Sequence, residues 1–244
     1  MTSIIPVPIT KEDLSVVFSD AETMERIIEI QTNWGQESAF GVPYNVERAE
    51  FLVSKVVEGD KDKVRKFNLY NGISKRFQGV PLLTYHSHDD QDIIVPSGFG
   101  EGEDLRYYHE LRALEREYGL DMRTLHAITI HEPSVRAPWS IMVLQECLEE
   151  QLPLEEAQRR VDDLLTDEVI EQASQEDIMQ RLRQTGLYRC ELMQVLFHPQ
   201  RGRYFPAHEL EKLAAFSFTP RILDYDKFRG SFEKENSLQI HNTS

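Results

Sequence analysis

The sequence predicts an α+β fold, rich in helix and with a small sheet, on three observations. Apolar residues recur at helical spacing in several windows, a strand–helix–strand order runs from about 80 to 131, and the pattern from Pro138 onward is almost wholly helical. A chain of 244 residues can bury one sizeable core, or a core plus a small helical appendage. The expected division is an α+β body over 1–137, an acidic helical region over 138–215 and a C-terminal tail over 216–244.

In chain order, Ser19 followed three residues later by Glu22 has the form of a capping box. Met24, Ile27, Ile28 and Ile30 then give a first helix its apolar stripe, which stops near Trp34-Gly35. A second helix is expected from Asn45, with Ala49, Leu52, Val53 and Val56 on one face, and its pattern is lost at Gly59. Val80 to Tyr85 reads as a buried strand. Ile93 to Gly102 is too rich in glycine to continue regular structure. A helix opens at Glu103-Asp104, where acids complement the helix dipole, and Leu105, Tyr108, Leu111, Leu114 and Tyr118 form its buried face up to Gly119. Thr124 to His131, short and β-branched, is the next strand.

A strand–helix–strand unit of this length most simply makes a right-handed crossover with its strands parallel, so their carboxyl ends lie side by side. In open α/β sheets that is where ligands bind. Beyond Pro138, helices are expected over Trp139–Gln151, Leu154–Leu165, Asp167–Ala173, from a Ser174/Asp177 cap to Gly186, and over Tyr188–Phe197. His198 to Pro206 is a turn-rich loop, and the polar stretch after Phe232 is expected to fray.

Charge narrows the partners. The formal net charge is −15, which disfavours duplex nucleic acid, because phosphate contact needs clustered Lys and Arg. Glu146 to Gln180 holds twelve acids and two arginines, about two thirds of that net charge. Lys55 to Arg76 reverses the sign and reads as a solvated helix face. Cys147 and Cys190 lack CxxC spacing and are expected to be reduced thiols. Met1 to Pro6 has neither a basic n-region nor an apolar h-region, and no run reaches the roughly 18 apolar residues of a membrane span. A cytoplasmic protein without a membrane partner is expected.

The densest ligand chemistry is His86-Ser87-His88-Asp89-Asp90 at the end of the Val80 strand. Imidazoles at i and i+2 of an extended segment point the same way, so both can face one ion. A catalytic zinc takes three protein ligands and leaves a position for water, and a neighbouring carboxylate takes the proton. His86 and His88 supply two ligands; Asp90, Glu101, Asp104 or His131 could supply the third, with Glu132 or another acid as base. As a polar turn, the same patch also reads as a solvated loop. His109, His198 and His208 are expected to be surface or structural. Gly98, Gly100 and Gly102 have the spacing of a phosphate cradle, but Glu101, Glu103 and Asp104 would repel a phosphate.

An apolar strand ending in Tyr85-His86-Ser87-His88, followed by Pro96-Ser97 and then an acid near a helix start, resembles the JAMM (MPN) metalloprotease signature. The resemblance implies that His86 and His88 bind zinc with a later Asp, that Ser97 helps position the reacting groups, and that an upstream Glu activates water. It spans about twenty residues. The chain departs from the pattern at Asp89, where a proline is usual, and in the spacing to Ser97, which is one residue too long. At the position of the expected Asp stands Gly100, leaving Glu101, Glu103 or Asp104 as displaced candidates; no upstream Glu is assigned. His86-Ser87-His88-Asp89-Asp90 is also similar to the HxHxDH motif of metallo-β-lactamase-fold hydrolases, with Gln91 where that motif ends in histidine.

Two function classes follow. One is a metal-dependent hydrolase, a peptidase or isopeptidase with a protein or peptide substrate if the JAMM likeness holds. The other is a noncatalytic protein whose acidic helices bind a basic partner or imitate nucleic-acid charge.

Overall fold

The computed structural model describes residues 20–32, 37–45, 50–59, 80–88, 92–130, 139–198, 203–206, 221–227 and 230. Helices and one large mixed sheet make it an α+β protein. The helices are α1 (Ala21–Thr32), α2 (Asp104–Glu117), α3 (Leu154–Asp162), α4 (Asp167–Gln172) and α5 (Gln175–Gln184). The strands are β1 (Ser38–Asn45), β2 (Glu50–Phe51), β3 (Val57–Glu58), β4 (Val80–His88), β5 (Leu120–Asp121), β6 (Leu125–Ile130), β7 (Trp139–Glu146), β8 (Tyr188–His198), β9 (Arg203–Pro206) and β10 (Arg221–Ile222).

The sheet order is β2-β1-β4-β6-β7-β8-β9, with β3 pairing β1 off that path. β4 and β6 run parallel, joined through α2, and put His88 beside Ile130 at their carboxyl ends. The other pairings in the sheet are antiparallel. β5 and β10 form a separate two-stranded pair, which ties Arg221–Ile222 back to Leu120–Asp121.

Both faces of the central strands are covered, and the pleat sorts their residues between two apolar clusters. Leu83, Tyr85, Ala127, Ile141 and Val143 meet Met24, Ile27 and Ile30 of α1. Ile128, Met142 and Leu144 meet Leu105 and Tyr108 of α2 and Ala157, Val161, Ile178 and Leu182 of α3 and α5. His86 and His88 alternate with Tyr85 along β4 and so belong to the α2 face.

Several elements differ from the sequence expectation, each for an identifiable reason. Trp139–Gln151 is not a helix: β7 occupies Trp139–Glu146. Being buried on both faces, it shows a continuous apolar run rather than alternation, and such a run does not distinguish strand from helix. Tyr188–Phe197 is also a strand, within β8. Its first half buries Tyr188 and Cys190 against one cluster and its second half Met193 and Val195 against the other, so the period of two changes phase midway. The expected all-helical region from residue 138 therefore contributes strands to the main sheet.

The expected helix from Asn45 to Gly59 is replaced by the end of β1 and by β2 and β3, which fold back antiparallel onto β1. Ser54 closes the gap between them: its backbone N–H donates to the Gly41 carbonyl, and its hydroxyl accepts from the Gly41 N–H. Non-local pairing here outweighs a helical spacing of apolar residues. In α1, Asp20 caps the first turn through the Thr23 N–H; Ser19 lies outside the described residues. The Ser174/Asp177 capping box of α5 forms in both directions.

Candidate metal centre

Three side chains from two elements converge on the α2 face of the sheet. His86 and His88 end β4, and Asp104 is the first residue of α2; all three are buried. His86 Nε2 lies 3.0 Å from Asp104 Oδ1, His88 Nε2 lies 3.0 Å from Asp104 Oδ2, and the two Nε2 atoms are 3.1 Å apart. Among the described residues this is the one group of three or more His, Cys, Asp or Glu whose potential ligand atoms come this close.

The loop between β4 and α2 fixes the carboxylate. Ser97 and Asp104 bond reciprocally: the Ser97 N–H donates to Asp104 Oδ2, and the Asp104 N–H donates to Ser97 Oγ, both at 2.8 Å. The next two helical N–H groups, of Leu105 and Arg106, donate to the carbonyls of Ser97 and Gly98. The orphan donors of the helix end are thus taken up by the loop that bears the serine. Glu103 turns its carboxylate into the same loop and accepts from the Gly100 N–H. A Cβ at Gly100 would stand 2.8 Å from the Glu103 carboxyl carbon, so a larger residue here would push the Glu103 carboxylate out of its present place. The glycine spacing that looks like a phosphate cradle holds the chain's own carboxylate.

The donor set is geometrically able to hold a metal ion, on two grounds. First, tetrahedral zinc with bonds of about 2.0–2.1 Å sets its ligand atoms about 3.3 Å apart. The 3.1 Å between the two Nε2 atoms is close to that edge length, and each Nε2 has one oxygen of Asp104 at 3.0 Å, Oδ1 for His86 and Oδ2 for His88. Second, protons satisfy the triangle poorly. A ring nitrogen presents one hydrogen or one lone pair along a single direction. If each Nε2–H donates to its carboxylate oxygen, two like dipoles face each other across 3.1 Å. A cation at the centre meets all three lone pairs at once.

A layer of packing lies beneath the triad on the same sheet face. Thr84, two residues before His86, meets His126 Nδ1 of β6 through its hydroxyl at 2.8 Å. Tyr108, one turn after Asp104, stacks on the His126 ring with centroids 3.6 Å apart and planes 12° from parallel. The strand with the histidines and the helix with the aspartate are thereby held to each other at a second point.

Of the residues singled out in the sequence, the fold gathers His86, His88 and Asp104, with Ser97 bracing Asp104. Glu101 is exposed on the turn, and Glu103 is engaged by Gly100. Asp90, His131 and Glu132 lie outside the described residues. His109 is buried rather than on the surface, with Nδ1 3.4 Å from Glu146 Oε1.

Sequence reading left the upstream glutamate unassigned, and the sheet register supplies a candidate. β1 pairs antiparallel with β4 with Ala39 opposite His86, and the Ser38 N–H donates to Ser87 Oγ. Extended past the start of β1, the same register would set the half-buried Glu37 opposite His88. No spacing rule in the sequence announces it, because the pairing joins segments about fifty residues apart.

No protein-family model matches this chain, and no curated protein matches it. Among the described residues no helix is long and apolar enough to cross a membrane.

Removing the serine tests the bracing. Ser97→Ala takes a cap acceptor from α2, with an expected stability loss of about 1 kcal/mol. It also loosens a ligand's support, with an expected 10- to 100-fold loss of metal affinity. Urea unfolding and chelator competition measure the two separately.

Proposed function

We infer that this protein is a metal-dependent hydrolase, with zinc held by His86, His88 and Asp104, that cleaves a peptide or isopeptide bond. The observation that carries this reading is the buried cluster of His86, His88 and Asp104, whose potential ligand atoms lie close enough together to hold one metal ion. The JAMM likeness of Tyr85-His86-Ser87-His88 and Ser97 supports it, with Asp104 displaced from the usual spacing by four residues.

When bound, zinc would supply Lewis-acid polarisation of the scissile carbonyl and a water acidified to a pKa near 7. The protein's own groups do the rest. His86 and His88 act as neutral donors along a rigid strand. Asp104 would balance the charge of the ion, with its Oδ2 oriented by the Ser97 N–H at the N-terminus of α2. Glu37 receives the proton of the attacking water and returns it to the leaving amine, the role a carboxylate can fill beside such a centre.

The test is dependence of hydrolysis on metal. Purified protein is expected to carry about one equivalent of zinc, and to lose cleavage of fluorogenic peptide or isopeptide substrates on chelation. Stoichiometric zinc, but not magnesium, should restore it. Protein that takes up no transition metal under any of these conditions would remove the basis of the reading.

A further inference from the structure

The acidic helices after residue 150 look, from the sequence, like an appendage. One side chain among them reaches the loop that carries the metal centre. Gln175, the first residue of α5, engages both backbone groups of Ile94: its Oε1 accepts from the Ile94 N–H at 2.7 Å, and its Nε2 donates to the Ile94 carbonyl at 2.9 Å. That is the pair of bonds a neighbouring β-strand would provide.

Ile94 is 1% exposed, so its N–H and carbonyl lie away from water and need partners. The loop from Ile94 to Gly98 has no helix or strand of its own to supply them. Ile94, Val95 and Phe99 pack in one cluster with Ile178, Met179 and Leu182 of α5, so the amide bonds fix the register of a contact that apolar packing alone would leave free to slide. From Ile94 the chain runs three residues to Ser97, which is bonded both ways to Asp104. A contact path therefore leads from α5 through Ile94 and Ser97 to Asp104 and the two histidines.

We propose that Gln175 is a positioning residue for the metal centre, holding the Ile94–Ser97 loop so that Asp104 meets His86 and His88. Helix α5 is then a structural part of the centre. The proposal rests on the zinc-binding reading above and adds to it a residue 81 positions from its contact in the chain.

The test compares Gln175→Ala, Gln175→Glu and Met179→Ala with wild type, using zinc affinity by chelator competition, the visible spectrum of the cobalt(II)-substituted protein and the unfolding midpoint without metal. Gln175→Ala is expected to weaken zinc binding about tenfold and to shift the cobalt bands. Gln175→Glu keeps an acceptor for the Ile94 N–H but sets a second oxygen against the Ile94 carbonyl, so its loss should equal or exceed that of Gln175→Ala. Met179→Ala removes packing from the same helix and leaves the amide in place. It should lower the metal-free midpoint more, with the cobalt spectrum unchanged. Wild-type zinc affinity and cobalt spectrum in both Gln175 variants would overturn the role, as would an equal loss of zinc affinity in Met179→Ala. Failure of wild type to bind zinc overturns the centre itself, and the positioning role with it.

Discussion

Asp104→Asn is expected to lower zinc affinity by more than about a hundredfold, the upper figure for losing a group that merely supports a ligand. The substitution suits the site because it separates charge from shape. An asparagine oxygen can still accept the Ser97 N–H, and the backbone bond from residue 104 to Ser97 Oγ is untouched, so the loop keeps its bracing. What disappears is the anion between His86 Nε2 and His88 Nε2. Zinc content and chelator competition read the effect directly, and the unfolding midpoint in chelator shows whether the fold survived. Unchanged zinc content and affinity in this variant would mean that the triangle is a hydrogen-bonded cluster and not a ligand set.

Glu37→Gln should behave in the opposite way, keeping the metal and losing the reaction. A general base contributes about 10²–10⁴ in rate, and the amide is close in size but cannot take a proton. Zinc affinity is expected to stay within about twofold of wild type, since Glu37 is not counted among the ligands, while kcat/KM for a fluorogenic peptide or isopeptide falls by two orders of magnitude or more. Full activity in the variant would return the role of base to another acid, with Glu132 the next to replace. Reduced zinc content would instead make Glu37 a ligand or a structural support.

The acidic stretch from Glu146 to Gln180 suggested a surface for a basic partner. In the fold it makes up the end of β7 and helices α3, α4 and most of α5. Their apolar faces, with Ala157, Val161, Ile178 and Leu182, complete the cluster under α2, and many of their acids point to solvent. The acidity is in large part the outer face of helices whose inner face packs around Ile94, Val95 and Phe99 in the loop before α2.

How far the sequence reached can be followed residue by residue. Patterns of short range were legible: His86 and His88 share a face because a strand repeats every two residues, α2 opens at Asp104 because acids favour a helix start, and Ser174 with Asp177 caps α5. Patterns that depend on what covers them were not. β7 and β8 carry apolar residues on both faces, one along its whole length and the other by changing face midway, so neither shows the alternation by which a half-buried strand is recognised. The pairing of Glu50–Phe51 and Val57–Glu58 with β1 leaves no local trace in the sequence.

The sequence by itself determined the two imidazoles, their common direction, the serine and a short choice of acids after it. Only the tertiary structure distinguished Asp104 from Glu101 and Glu103, placed Glu37 just ahead of the strand that pairs with β4 and brought Gln175 to Ile94. The physical reason is the reach of each rule. Backbone periodicity and capping act within one turn or one pleat, whereas strand register and the docking of a loop on a distant helix are fixed by burying apolar surface and satisfying backbone groups between segments far apart in the chain.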